Sequence, residues 1–113
     1  MNIVKTQRDH LLVCRLEGRF DAHQVPRLKS ELEPVREPLH LDFSGVTFID
    51  SSGLAALVSL YKKAREAGVG FEISGIQDAV RLILELTGLD TILPTGAAPV
   101  LAPGSGRSVS DRS

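Results

Sequence analysis

The alternation of apolar and polar positions predicts several short strands. In residues 39–43 the apolar side chains Leu39, Leu41 and Phe43 occupy every second position, the period of a strand with one buried face. We expect this strand to lie near the centre of a sheet and to end before Ser44-Gly45. Other extended candidates, bounded by polar, Gly or Pro positions, occur at residues 3–7, 10–17, 69–74 and 91–93.

Three other segments place apolar residues three or four positions apart, which is the spacing of one helix face. Pro34 predicts the end of the first segment near Glu33, because the residue before a proline avoids helical backbone. Gly68 and Gly88 are suited to close the second and third segments, since glycine readily adopts the left-handed conformation found after helices. The predicted helices run from Val25 to near Glu33, from Leu54 to Gly68, and over residues 77–87.

Strands that alternate with helices predict an α/β fold. We expect a single layer with a small mixed sheet of about four or five strands, in which the first pair is antiparallel and the inner strands are mostly parallel. About three or four helices should pack mainly on one face of this sheet. Residues 1–95 are expected to form this domain, whereas Gly, Pro and Ser dominate residues 96–113 and predict a disordered polar tail.

The charge balance narrows the classes of partner. Thirteen Lys and Arg residues oppose 14 Asp and Glu residues, so the chain has no large positive field for nucleic acid or anionic lipid. We therefore expect neither nucleic acid nor membrane as a partner. The first residues lack a basic stretch followed by an apolar segment, and no apolar run approaches the roughly 20 residues that span a bilayer. These features predict a cytoplasmic protein.

The sequence contains no evident metal or cofactor motif. Cys14 is the only cysteine, which excludes an internal disulfide and any multi-cysteine metal site, and its apolar neighbours predict a buried, small hydrophobic residue. The segment Gly68-Val69-Gly70 lacks the lysine and the spacing of a phosphate-binding loop. We expect no bound metal and no cofactor.

The segment Asp50-Ser51-Ser52-Gly53 lies where a predicted strand leads into a helix, a position at which α/β proteins commonly meet ligands and partners. A helix N-terminus has unpaired N–H groups and a partial positive charge. A phosphoryl group on Ser51 would therefore be accommodated, next to the amides that we expect to be free at Gly53 and Leu54. The missing side chain of Gly53 would let a phosphate or a partner backbone approach.

A purely structural role for this segment is the alternative. Asp50 or Ser51 would then be the N-cap of the helix, which contributes about 1 kcal/mol. No Glu or Gln follows three residues after either serine, so a capping box does not explain the segment.

An enzyme is a second alternative, with Ser51 as nucleophile and His10, His23 or His40 as base. No Gly-x-Ser-x-Gly turn precedes the helix, and four Phe, one Tyr and no Trp offer little for a substrate pocket. We expect each histidine to be a surface or capping residue, and the chain not to be an enzyme.

Three motifs resemble those of the STAS family, in particular the bacterial anti-sigma factor antagonists. The most specific is the run from Leu41 to Leu54, which contains the Asp50-Ser51-Ser52-Gly53 segment. The segment from Leu16 to Asp21 resembles the family's loop before the first helix, and Gly88-Leu89 resembles the end of its last helix.

The resemblance implies a role for each matching residue. Ser51 occupies the position of the serine that is phosphorylated by the anti-sigma factor, an ATP-dependent serine kinase. Asp21 occupies the position of the loop aspartate near that serine, and Asp50, Ser52 and Gly53 complete the surface that docks on the partner.

The implied function is a partner switch. The unphosphorylated protein, a monomer or weak dimer, would bind the anti-sigma factor and release its sigma factor. Phosphorylation would abolish binding, because the added charge would be desolvated beside the acidic residues Asp50 and Asp21. The alternative within the same family is a scaffold or accessory subunit of a stress-sensing assembly or a lipid transporter.

Overall fold

The computed structural model describes residues 2–96, and within them one sheet has five strands in sequential order. The first two strands are antiparallel and every later neighbouring pair is parallel, which confirms the predicted mixed sheet. The prediction of a disordered tail concerns residues that, apart from Gly96, lie outside the described part of the chain. The strands are β1 (Asn2–Arg8), β2 (Leu11–Phe20), β3 (Leu39–Ile49), β4 (Phe71–Ser74) and β5 (Thr95–Gly96).

The helices in this part of the chain are α1 (Val25–Leu32), α2 (Ser51–Ala67) and α3 (Asp78–Thr87), followed by a short 3₁₀ helix (Leu89–Thr91). Their ends follow the predicted local chemistry. Glu33 has extended backbone before Pro34, so α1 stops where the proline requires it. Gly68 and Gly88 adopt positive φ angles of 72° and 77°, the left-handed conformation that favours glycine after a helix.

All three helices share one core with one face of the sheet, as predicted. On β3 the core residues are Leu39, Leu41, Phe43, Val46 and Ile49, and the first three point to the same face because they alternate along the strand. The helices add apolar residues to the same cluster, at Leu28 and Leu32 of α1, Ala56, Leu57, Leu60 and Ala64 of α2, and Val80 and Leu84 of α3. Within residues 2–96 no helix is both long enough and apolar enough to cross a bilayer.

Cys14 belongs to this core and is fully buried. Burial disfavours the thiolate and raises the pKa of the Cys14 thiol to about 11. The thiol therefore packs as a small apolar group, as its apolar neighbours in the sequence indicate.

The central strand is longer than predicted. β3 continues through Ser44-Gly45 to Ile49, whereas the apolar and polar alternation predicted its end before Ser44. The pairing with β2 shows the reason, since the step from Arg15 to Glu17 is matched by a step from Asp42 to Gly45. One extra residue on β3 forms a bulge there, and a second extra residue lies between Val46 and Phe48, opposite Gly18 and Arg19. The strict two-residue period anticipates neither irregularity.

The predicted strand at residues 91–93 is wrong. The 3₁₀ helix ends at Thr91, the chain turns at Ile92, and the Leu93 N–H donates to the Leu89 carbonyl at 2.8 Å. Leu93 is buried because it turns into the core, and the last strand pairs two residues later, with Thr95 beside Ile73. A short apolar run does not by itself distinguish a strand from a turn that is anchored in the core.

Candidate functional site

The candidate site lies where β2 and β3 end side by side. Phe20 and Ile49 are register partners, and the Asp50 N–H donates to the Phe20 carbonyl at 3.3 Å. The loop that begins at Asp21 therefore lies beside the first turn of α2, which begins at Ser51. Two segments of the chain that are 28 residues apart, at Ala22 and Asp50, meet at this edge of the sheet.

Asp50 is the N-cap of α2. Its Oδ1 accepts a hydrogen bond of 2.9 Å from the Gly53 N–H, and its backbone is extended, as at a typical cap. Its Oδ2 accepts a hydrogen bond of 3.2 Å from the Ala22 N–H in the neighbouring loop. One half-buried carboxylate thus caps the helix and ties it to the loop that contains Asp21.

Ser51 is exposed at the first position of α2. Because Asp50 already caps the helix, the Ser51 hydroxyl has no capping role, and it forms no hydrogen bond with another described residue. The half-buried Ser52 follows at the second position. Of the two serines, Ser51 therefore presents its hydroxyl more fully to solvent.

The expectation of free amides at Gly53 and Leu54 is wrong. The Gly53 N–H is bound by the Asp50 carboxylate, and the Leu54 N–H donates to the Asp50 carbonyl at 3.0 Å. Among the described residues, the N–H groups of Ser51 and Ser52 have no such acceptor. These two amides, together with the helix dipole, are the groups available to an anion at this turn.

The role expected of Gly53 also needs correction. Gly53 is buried, and a Cβ at this position would lie 2.5 Å from the Phe20 carbonyl oxygen and 2.8 Å from Cγ1 of Ile49. The space that a side chain would need is therefore filled by the protein itself, not left open for a phosphate or a partner. Gly53 allows the first turn of α2 to approach the end of β2.

Asp21 shapes the neighbouring loop. Its Oδ1 accepts a hydrogen bond of 3.1 Å from the His23 N–H, and its Oδ2 lies 3.8 Å from Nε of Arg19. The Arg19 guanidinium in turn lies 4.0 Å above the ring of Phe48, its register partner on β3. The sequence motifs did not indicate a role for Arg19 or Phe48, because the contact between these two side chains requires the pairing of β2 with β3.

The histidines do not assemble a catalytic pair with Ser51. His10 and His23 are exposed, and no hydrogen bond joins a histidine to Ser51 in the described part of the chain. His40 is buried, contrary to the expectation of a surface or capping residue, and its Nε2 lies 2.6 Å from Oγ of Ser74. It lies on a central strand, where neighbouring strands cover it, and burial lowers the pKa of its imidazole.

Residues 2–96 contain no group of three or more His, Cys, Asp or Glu side chains placed to hold a metal ion. The chemistry available at the candidate site is thus that of an exposed hydroxyl, two unpaired amides and two carboxylates that are already engaged in holding the turns.

Comparison with known proteins gives the same family as the motifs. The model of the STAS domain matches residues 2–100. The anti-sigma-B factor antagonist of Staphylococcus aureus is 27% identical over 97 residues, which cover 82% of this chain and 90% of that protein.

Solved structures with the same fold include two anti-sigma factor antagonists. An anti-sigma factor antagonist from Mycobacterium paratuberculosis is 30% identical, with a TM-score of 0.74 over 88% of this chain and 86% of that chain. The Bacillus cell fate determinant SpoIIAA in its phosphorylated form has a TM-score of 0.68 over 86% of this chain and 91% of that chain, and its 17% identity shows a likeness of fold alone. The family match spans nearly all of the chain, and the protein belongs to the STAS domain family.

Proposed function

We propose that this protein is an anti-sigma factor antagonist controlled by phosphorylation of Ser51. The unphosphorylated form binds an anti-sigma factor, which is also a serine kinase, and thereby releases a sigma factor. Phosphorylation of Ser51 by that kinase abolishes the binding. The protein acts by binding and not by catalysis. The likeness to the antagonists of S. aureus and M. paratuberculosis supports the choice of partner.

One observation supports the choice of Ser51 above the others. An exposed serine occupies the first position of α2, although Asp50 already provides the cap. Removal of the Ser51 hydroxyl should therefore have little effect on the fold, and a kinase has free access to it. A side chain with this exposure and no structural task is suited to a reversible modification.

The fold can accept the added charge. A phosphoryl group brings a charge of about −1.5 to −2 and three acceptor oxygens. At Ser51 these oxygens lie near the unpaired N–H groups of Ser51 and Ser52 and near the positive end of the α2 dipole. The domain is expected to remain folded after modification.

The added charge is compatible with the fold, but it is unfavourable for the contact with a partner. The Ser51 hydroxyl, together with Ser52 and the loop of Asp21, forms the surface that we propose for docking, and Asp50 and Gly53 hold that surface in shape. A phosphate in the middle of such a contact loses its water and adds charge beside two carboxylates. A loss of about 3 kcal/mol already weakens binding by roughly a hundredfold.

The decisive experiment combines a kinase assay with binding measurements. The cognate anti-sigma factor and ATP should transfer one phosphate to Ser51, located by mass spectrometry, and Ser51→Ala should accept none. Ser51→Asp and Ser51→Glu should weaken binding at least about tenfold, as measured by calorimetry, whereas Ser51→Ala should bind constitutively. The same change at Ser30→Asp, on an exposed serine of α1, serves as the matched control and should leave binding unchanged.

Two results would contradict the proposal. Modification at a residue other than Ser51 would show that Ser51 is not the phosphorylated residue. Unaltered binding by Ser51→Asp and Ser51→Glu would show that negative charge at this position does not control binding. A scaffold or transporter subunit, the alternative within the family, is expected to elute in a large assembly during size-exclusion chromatography of a cell extract.

A further inference from the structure

One surface of the described domain remains apolar without a function in the proposed switch. Leu82 and Leu86 on α3 are 55% and 77% exposed, and Ile92, just after the 3₁₀ helix, is 53% exposed. Three of the four large hydrophobic residues that are exposed within residues 2–96 thus lie in one stretch of 11 residues, whereas the fourth, Val4, lies on β1. Neighbouring exposed apolar residues, such as Leu82 and Leu86 on one helix, commonly mark an interaction site.

The apolar residues of α3 form a stripe along the helix. Leu82 and Leu86 are four positions apart and therefore lie one above the other on the same side of the helix, and the exposed Ala79 precedes Leu82 by three positions. The opposite side of α3 contributes Val80 and Leu84 to the core. The stripe of Ala79, Leu82 and Leu86 is consequently a second apolar face, directed away from the domain.

Two charged residues border this stripe. Arg81 and Glu85 are exposed and also four positions apart, yet neither forms an ion pair with another described residue. An arginine that precedes a glutamate is the less favourable order for a pair within one helix. Both charges are therefore available to groups outside the chain.

We infer that the α3 stripe is a homodimer contact, in which α3 of a second copy packs antiparallel against it. The midpoint of Leu82 and Leu86 is residue 84, and the midpoint of Arg81 and Glu85 is residue 83. These midpoints differ by one residue, or about 1.5 Å along a helix. A two-fold axis opposite residues 83–84 therefore sets Leu82 against Leu86 of the second copy and Arg81 against its Glu85.

This self-complementarity favours a second copy over an unrelated partner. In an isologous interface every contact occurs twice with the partners exchanged, so two leucine contacts and two ion pairs form together. Only Ala79, Leu82 and Leu86 of each copy form the stripe, so we expect the contact to bury less than the roughly 1,200 Å² that stable specific interfaces reach. The dimer should accordingly be weak, with a Kd between about 10 μM and 1 mM.

Sedimentation equilibrium of the full chain, from about 5 μM to 1 mM, tests the inference. The average mass should rise with concentration from one chain towards two. Leu86→Ser should raise the Kd at least about tenfold, because it removes the most exposed leucine from the contact. Val4→Ser, which shortens an exposed apolar residue on β1, is the matched control and should leave the Kd unchanged.

Charge exchange tests the symmetry itself. Arg81→Glu and Glu85→Arg should each raise the Kd by about fivefold or more, since each places like charges opposite one another across the axis. The double variant R81E/E85R should restore the Kd to within about twofold of the wild-type value, because both pairs re-form with their signs reversed. Circular dichroism of each variant confirms that the domain is folded.

The inference is overturned if the chain stays monomeric over the whole concentration range, or if the double variant is as weak as the single ones. It is also overturned if Leu86→Ser leaves self-association intact but abolishes binding of an anti-sigma factor, because the stripe would then belong to a different partner. The measurements of self-association do not depend on whether Ser51 is phosphorylated, and binding of an anti-sigma factor is measured with the unphosphorylated protein.

Discussion

Asp50 and Ala22 are joined across two loops by a hydrogen bond of 3.2 Å, from the Ala22 N–H to Oδ2 of the Asp50 carboxylate. The other oxygen of the same carboxylate caps α2 through the Gly53 N–H. The start of α2 and the loop that contains Asp21 are therefore held in one arrangement by a single side chain. The shape of the proposed docking surface depends on this arrangement.

Asp50→Ala should lower the free energy of unfolding by about 1–2 kcal/mol, because it removes a helix cap and leaves the Ala22 N–H without its acceptor. Asp50→Asn should lower the free energy of unfolding by a smaller amount, since its amide oxygen can still cap the helix. Urea denaturation monitored by circular dichroism measures both changes. Asp78→Ala, in the first turn of α3 where no side chain forms a cap, is the control and should cost less than about 1 kcal/mol. Equal stability of Asp50→Ala and the wild type would show that the carboxylate does not hold the turn.

Gly53→Ala should lower the free energy of unfolding by about 1–3 kcal/mol, because the new Cβ would overlap the Phe20 carbonyl oxygen and Cγ1 of Ile49. The higher helix propensity of alanine offsets only part of this cost. At Gly70 the nearest atom to an added Cβ lies 4.0 Å away, so Gly70→Ala is a matched control with an expected change below about 0.5 kcal/mol. A Gly53→Ala variant with wild-type stability would contradict the packing.

Ser51→Glu should raise the free energy of unfolding by about 0.3–1 kcal/mol, because a negative charge in the first turn of α2 interacts favourably with the helix dipole. Ser30→Glu, in the last turn of α1, should lower it by a similar amount, since the dipole there has the opposite sign. Thermal unfolding at low salt measures the change in stability of both variants. The difference in stability between them should be smaller at high salt, which screens charges. Strong destabilisation by Ser51→Glu would indicate that the fold itself rejects charge at this position.

The domain should lose stability when the pH falls below about 6.5. Burial lowers the pKa of His40 from its ordinary value of 6.5, whereas the carboxylates of Glu72 and Asp42 oppose part of this shift. In that pH range the unfolded chain binds a proton at this imidazole more readily than the folded chain does, so the free energy of unfolding increases with pH until the unfolded imidazole is neutral.

Urea denaturation at pH 7.5 and pH 5.5 measures this dependence. His40→Gln should reduce the loss of stability on acidification, because its amide does not titrate and can still hydrogen-bond Ser74. His10→Gln is the control, since His10 is exposed, and should retain the wild-type dependence. A His40→Gln variant with the same pH dependence as the wild type would exclude His40 as the cause.

The sequence by itself determined the features that depend on neighbouring residues. Apolar periodicity predicted the three helices, and Pro34, Gly68 and Gly88 predicted where they end, because these residues restrict or permit backbone conformations locally. The motif around Ser51 likewise lies in one continuous segment, and together with the two shorter motifs at residues 16–21 and at Gly88-Leu89 it predicted the family.

Tertiary structure decided the features that depend on what a second segment contributes. Gly53 looked like an opening for a phosphate, but β2 fills that space, and His40 looked like a surface residue, but the strands on either side bury it. The sequence left open whether Asp50 or Ser51 caps the helix, and the folded structure shows that Asp50 is the cap and that its other oxygen binds the Ala22 N–H. The close approach of strands and loops that are distant in the chain is set by the packing of the whole core, and no local pattern encodes it.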